Sequence, residues 1–178
     1  MLFEEVSYLI VRTQAELTVN YPFLESWKIA FDSAKKRAGI CRINSKEISF
    51  SINHIENNNI ETIKDTILHE FAHAIAYHLY SDTGHGRHWK SVARQIGAIP
   101  KAKGMFNLPI APWLLVHACS KTSQLNPISE RFRRNNKIKN YFLIGRPETK
   151  GELFFVRHND YKQFKQGLLD QNRIELFQ

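Results

Sequence analysis

Three histidines and one glutamate fall at spacings that can hold a metal ion and set a base beside it. They are His69, Glu70 and His73 in His69-Glu70-Phe71-Ala72-His73, and His85 in Gly84-His85-Gly86. On a helix, positions i and i+4 lie one above the other on one face. His69 and His73 can therefore chelate one ion while Glu70 reaches a water beside it. Zinc suits such a set: it takes neutral imidazole nitrogens at about 2.0–2.1 Å, and catalytic sites combine three protein ligands with one open position. The third ligand must come from outside the helix. His85 follows His73 by 12 residues, enough for the helix to finish and the chain to turn back, and glycines on both sides permit the backbone angles of a return. His88 is the competing third ligand. His54, His78, His117 and His158 are read as structural; His78, five residues past His73, is turned away from the ligand face.

The elements that must position these groups can be read from periodicity. Ile60, Ile63, Ile67, Phe71, Ala74, Ile75 and Leu79 recur at steps of three and four, which predicts one amphipathic helix over Ile60–Tyr80. Asn57-Asn58-Asn59 supplies its N-cap, and Glu61 in the first turn suits the helix dipole. Upstream, a helix is expected over Glu4–Val19. A second is expected over Phe23–Ala38, with Lys35-Lys36-Arg37 in its last turn and Gly39 at C′. Cys41–Ile55 alternates as strands do, with Asn44-Ser45-Lys46 as a turn. Ile48–Ile52 is read either as an edge strand that takes substrate as an added strand or as an ordinary core strand. Arg87–Ile96, stopped by Gly97, is expected to be a helix that holds the His85 turn. Gly97–Pro112, rich in Gly and Pro, reads as a linker.

The rest reads as a small β module: strand-like runs at Trp113–Ala118, Tyr141–Ile144 and Leu153–Val156, a hairpin turn at Pro147–Gly151, and a short helix near Asp160–Asp170. Charge separates this part from the first. Residues 1–100 hold 11 Lys/Arg and 11 Asp/Glu, whereas residues 101–178 hold 14 and 6, so the whole formal excess of +8 lies C-terminal. A basic module beside a neutral one suits a polyanionic partner. Arg131, Arg133, Arg134, Lys137 and Lys139 crowd one connection near Phe132 and Tyr141. Cations beside aromatic rings can contact phosphates and stack on bases, although such a run can equally be a solvated loop. Two cysteines, Cys41 and Cys119, make neither a disulfide framework nor a four-cysteine zinc site and point to a reducing compartment. No basic leader and no run of about 20 apolar residues is present, so no signal peptide, no membrane span and a cytoplasmic location are expected.

Asp65-Thr66-Ile67-Leu68-His69-Glu70-Phe71-Ala72-His73-Ala74, followed by Gly84-His85-Gly86-Arg87-His88-Trp89-Lys90, resembles the SprT-like (Spartan-type) zinc metallopeptidases. So does the lead-in from Trp27 through Gly39-Ile40-Cys41 to Ile48-Ser49-Phe50-Ser51. The resemblance covers roughly residues 20–100. It implies an α+β fold: a zincin-like helical metallopeptidase domain with a small β-sheet over residues 1–104, then a basic β module and tail over 105–178. It implies one Zn²⁺ held by His69, His73 and the histidine of the Gly-His-Gly turn, His85, with His88 at a non-ligand position and Glu70 as catalytic base. It also implies a protein substrate and DNA, single-stranded or damaged, as partner, because family members bind DNA and are linked to proteolysis of DNA-crosslinked proteins. Many bacterial relatives end in a zinc ribbon with two cysteine pairs. Here only Cys119 stands in that region, so the module resembles a ribbon without its metal ligands. The rival expectations are a non-catalytic DNA-binding protein with a structural zinc site, and a peptidase whose basic module binds an acidic protein.

Overall fold

Ile48 and Phe50 alternate with Ser49 and Ser51, and all four are buried in the strand β3 (Glu47–Ser51). Buried hydroxyls need partners. Ser49 Oγ donates to Asp32 Oδ2 at 2.5 Å, and Ser51 Oγ donates to the Ala34 carbonyl at 2.5 Å. Both acceptors belong to β1 (Lys28–Asp32) or the loop that follows it, so the serines tie that loop down. β3 is the middle strand of a three-stranded sheet ordered β1-β3-β2, parallel to β1 and antiparallel to β2 (Gly39–Arg42). Ser51 then caps a short helix, α2 (Ile52–Asn57), by accepting the His54 N–H.

The computed structural model describes residues 2–120, 122 and 124–178. Among them the protein is mixed α+β, with five α-helices and two three-stranded sheets. No helix among the described residues is long and apolar enough to cross a membrane. The chain divides into two compact units, Met1–Pro109 and Ile110–Gln178.

In the first unit the central helix is α3 (Ile60–Tyr80), with Asn59 as N-cap accepting the Thr62 N–H at 2.9 Å. Its Ile63, Ile67, Phe71, Ala74 and Ile75 are buried against Ile48 and Phe50 of the sheet, Val6 and Ile10 of α1 (Leu2–Thr18), and Trp89 and Val92 of α4 (Arg87–Ile96). Ser81 and Gly97 end α3 and α4 in left-handed conformations, which return the backbone N–H to the last turn.

Several local expectations fail here. Phe23–Ala38 is not a helix: Pro22–Ser26 is a 3₁₀ turn, and Lys28–Asp32 is β1. The run Ile29-Ala30-Phe31 fits either period, and its parallel register with β3, Lys28 opposite Glu47 through Asp32 opposite Ser51, decides for strand. Gly39 therefore opens β2 instead of ending a helix, and Lys35–Arg37 lie in a loop. The strand character expected up to Ile55 stops at Ser51, where α2 begins. The stretch Ile48–Ile52 is not an edge strand; β3 is central, and β2 is the edge packed beside α3.

The second unit is built on β4 (Trp113–Cys119), flanked antiparallel by β5 (Gln124–Arg131) and β6 (Leu153–Arg157). Side chains alternate between the sheet faces. Leu114, Val116 and Val156 pack under α5 (His158–Lys165) with Tyr161 and Phe164, whereas Leu115, Leu153 and Phe155 pack with Ile138, Leu143 and Phe177. Tyr141–Ile144 is not a strand; it makes only an isolated pairing of Leu143 with Arg146. The third strand is β5. Its Pro127 cannot donate to a ladder and sits on an edge strand, beside the register shift at Leu115/Val116.

Candidate metal centre

Three imidazole nitrogens converge at the middle of α3. His69 Nε2 lies 3.3 Å from His73 Nε2 and 3.0 Å from His85 Nε2, and His73 Nε2 lies 3.1 Å from His85 Nε2. Each Nε2 carries either one proton or one lone pair, so three of them in a triangle cannot satisfy one another by hydrogen bonding. A tetrahedral ion at zinc–nitrogen distances of about 2.0–2.1 Å would set its ligands about 3.3–3.4 Å apart, close to the triangle found. The donor set thus fits zinc. Burial and the neighbouring imidazoles hold the rings neutral, as ligands must be: His69 is pushed down to about 4 and His73 to about 3, and His85 is lowered by burial.

α3 supplies two of these nitrogens one turn apart, and the loop after it supplies the third. Asp82 shapes that loop: its Oδ1 accepts the Gly84 N–H at 3.0 Å and its Oδ2 the Trp89 N–H at 3.3 Å. A Cβ on Gly86 would sit 3.1 Å from Asp82 Oδ2, so a glycine lets the loop close on the carboxylate. Trp89, fully buried, lies against all three histidine rings at 4.5–5.3 Å between centroids and fixes their spread. The sequence marks the turn through Asp82 and the helix through Trp89 that holds it, but neither the Asp82 hydrogen bonds nor the contact of Trp89 with the three rings is visible in it. His88 is outside the cluster, stacked on Tyr80 at 4.6 Å. His78 stacks on Phe23, and His54 sits between Thr66 and Asn58.

Glu70 is buried and faces β2. Burial pushes its carboxyl up to about 7, against the opposing pull of Arg37 and of the Cys41 N–H that it accepts. Such a value suits a group that must both take and release a proton near neutrality. Burial, with the Glu70 charge behind it, pushes the Cys41 thiol up to about 12, so this cysteine is an inert packing residue. Gly39 lets the two elements meet: a Cβ there would stand 2.8 Å from Glu70 Cγ and 2.9 Å from Oε1. Gly39→Ala is expected to displace the carboxylate and to destabilise the unit by about 1–3 kcal/mol through overpacking, as read by thermal or denaturant unfolding.

A second group that could hold a metal is His117, Cys119 and Glu152 in the other unit. Glu152 already accepts from His117 Nε2 at 2.7 Å and Ser120 Oγ at 2.5 Å, a pairing that accounts for the buried histidine without an ion. Arg131, Arg133, Arg134, Lys137 and Lys139 of that unit are exposed. Arg131 and Arg133 border a cavity of about 520 Å³ with Tyr141 and Phe142. The Arg134 guanidinium lies 4.8 Å from the Trp113 ring and 4.7 Å from Phe177, a cation–π arrangement, and Lys137 and Lys139 flank the buried Ile138.

The SprT-like family profile matches residues 10–111, more than half of the sequence, and the chain belongs to that family. It is 26% identical over 89 residues to Protein SprT of Pseudomonas putida (strain GB-1), a match covering 49% of this chain and 54% of that protein. Protein SprT of Pseudomonas entomophila (strain L48) matches to the same extent. Protein SprT of Pseudomonas putida (strain ATCC 47054) is 24% identical over 75 residues, covering 41% of this chain and 46% of that protein. The chain thus spans about half the length of the curated relatives it matches. No solved structure matches it at a significant level.

Proposed function

We propose that this protein is a zinc-dependent endopeptidase acting on proteins bound or crosslinked to DNA. The observation that carries the reading is the triangle of His69, His73 and His85 nitrogens with Glu70 on the next position of the same helix. Zinc bound by those three residues would supply a Lewis acid that acidifies water and polarises the scissile carbonyl. Glu70, at the cleft wall, takes the proton of the attacking water and passes it to the departing amine. Trp89 and Asp82 hold the ligand geometry. The edge of β2 lies beside α3 and offers a backbone to which an extended substrate can add as a strand. The first unit is read as zincin-like. The second is read as a ribbon-like module without the cysteine pairs, held together by its two small cores, with the Arg131–Lys139 cluster as its nucleic-acid contact and the cytoplasm as its location.

The basic cluster also supports a second reading, a non-catalytic DNA-binding protein with structural zinc. An experiment separates the two. Zinc-loaded protein is incubated with an unfolded DNA-binding protein, with and without single-stranded DNA and with a chelator. Cleavage that the chelator stops and DNA raises is expected. Zinc-loaded protein that leaves the substrate intact in every arm would favour the non-catalytic reading, and cleavage indifferent to DNA would remove the nucleic acid from the proposal.

A further inference from the structure

A cavity of about 420 Å³ opens directly beside the metal cluster, within the size range of ligand clefts. One wall is α3, through Asp65, His69 and Glu70. The other is made by the loop before β2 and by the segment through Lys103 and Phe106. That segment is clasped in place: Asn58 Oδ1 accepts the Asn107 N–H at 2.7 Å, Asn58 Nδ2 donates to the Asn107 carbonyl at 3.0 Å, and Phe106 meets His54 edge-on at 5.1 Å.

The lining has a particular charge. Lys36, Arg37 and Lys103 contribute three cations. Arg37 is oriented by Asp32, whose Oδ2 it reaches through NH2 at 2.7 Å and which Ser49 holds from behind. Its other terminal nitrogen, NH1, is buried with no hydrogen-bond partner among the described residues. That nitrogen is enclosed, but the guanidinium as a whole lines the cavity with 35% of its side chain exposed, and a carboxylate is the acceptor a guanidinium matches best. Two anions stand on the same walls, Asp65, whose Oδ1 accepts the Ile99 N–H at 2.7 Å, and Glu70, which accepts the Cys41 N–H and feels the pull of Arg37, so the three cations outnumber them.

The side of the scissile bond follows from the chemistry. The group that hands a proton to the departing amine must lie on the side of that amine. The cavity that shares Glu70 as a wall therefore receives the residue carrying it. Resting on the peptidase reading, we propose that this cavity is the subsite for the residue immediately after the scissile bond, and that it selects an acidic side chain, Asp or Glu, through Arg37 with Lys36 and Lys103 at its mouth.

The test is cleavage-site profiling. Zinc-loaded wild type, Arg37→Gln and Lys103→Glu are each incubated with a complex mixture of unfolded peptides in the presence of single-stranded DNA, and new N-termini are read by mass spectrometry. Asp and Glu are expected to be enriched about ten-fold at the first position after the cut. Arg37→Gln should abolish the enrichment, and Lys103→Glu, an exposed change, should lower it and raise Lys and Arg there. Cleavage without acidic preference, or with a preference that neither variant moves, overturns the subsite while leaving the peptidase standing. Variants that weaken single-stranded DNA binding without changing the profile overturn it in favour of a phosphate-binding mouth. Absence of any cleavage by zinc-loaded protein removes the peptidase reading and the subsite with it.

Discussion

Replacing Glu70 with Gln is expected to leave the zinc content unchanged and to lower kcat by about 10²–10⁴-fold, the range that general acid–base catalysis contributes. The amide is nearly isosteric with the carboxyl and sits in the same buried place, so α3 and the three histidines should keep their geometry. It can accept the Cys41 N–H as the carboxylate does, yet it cannot take a proton from water. The loss should therefore appear in kcat rather than in KM or stability, as shown by steady-state kinetics on metal-loaded proteins with a thermal melt as control. Cleavage at the wild-type rate would remove Glu70 from the chemistry and favour a structural role for the metal centre.

The second large effect concerns His85, the proposed third ligand. His85→Ala removes one corner of a triangle whose other two corners lie a single turn apart on α3. Loss of partners that merely orient a metal ligand costs about 10–100-fold in affinity, so loss of a ligand itself should cost more. The purified variant should carry little zinc and lose cleavage, while α3 remains folded because its buried stripe, Ile63 through Ile75, packs on the sheet, α1 and α4. Circular dichroism beside metal analysis checks both halves of that expectation. His88→Ala serves as the matched control, since His88 stacks on Tyr80 outside the cluster.

The part of the centre that lies on one helix was legible from sequence. The stripe of apolar residues at steps of three and four, with Asn59 as cap, gave α3 its bounds. The glycines about His85 marked a loop that turns back, and Gly97 marked the end of α4. What was not legible depends on partners far along the chain. Ile29-Ala30-Phe31 is too short to show its period, and its strand form is settled by pairing with β3 nineteen residues on. Gln124–Arg131 has a weak apolar pattern and a proline; it is a strand because β4 offers it an edge. Gly39 looked like a helix stop because glycine serves both ends, a left-handed cap and a close approach, and only the position of Glu70 tells which. Arg37, expected in the last turn of that helix, is instead a cleft residue oriented by Asp32. Charge along the chain located the basic unit, but the seating of Arg134 between Trp113 and Phe177 is set by tertiary packing.

The account depends first on one ion held by three imidazoles. The direct measurement is zinc stoichiometry by elemental analysis on protein purified without added metal, for wild type, His85→Ala and His88→Ala. The account predicts one zinc per chain in wild type and in His88→Ala, and close to none in His85→Ala. Zinc retained in full by His85→Ala, or lost from His88→Ala alone, would contradict it.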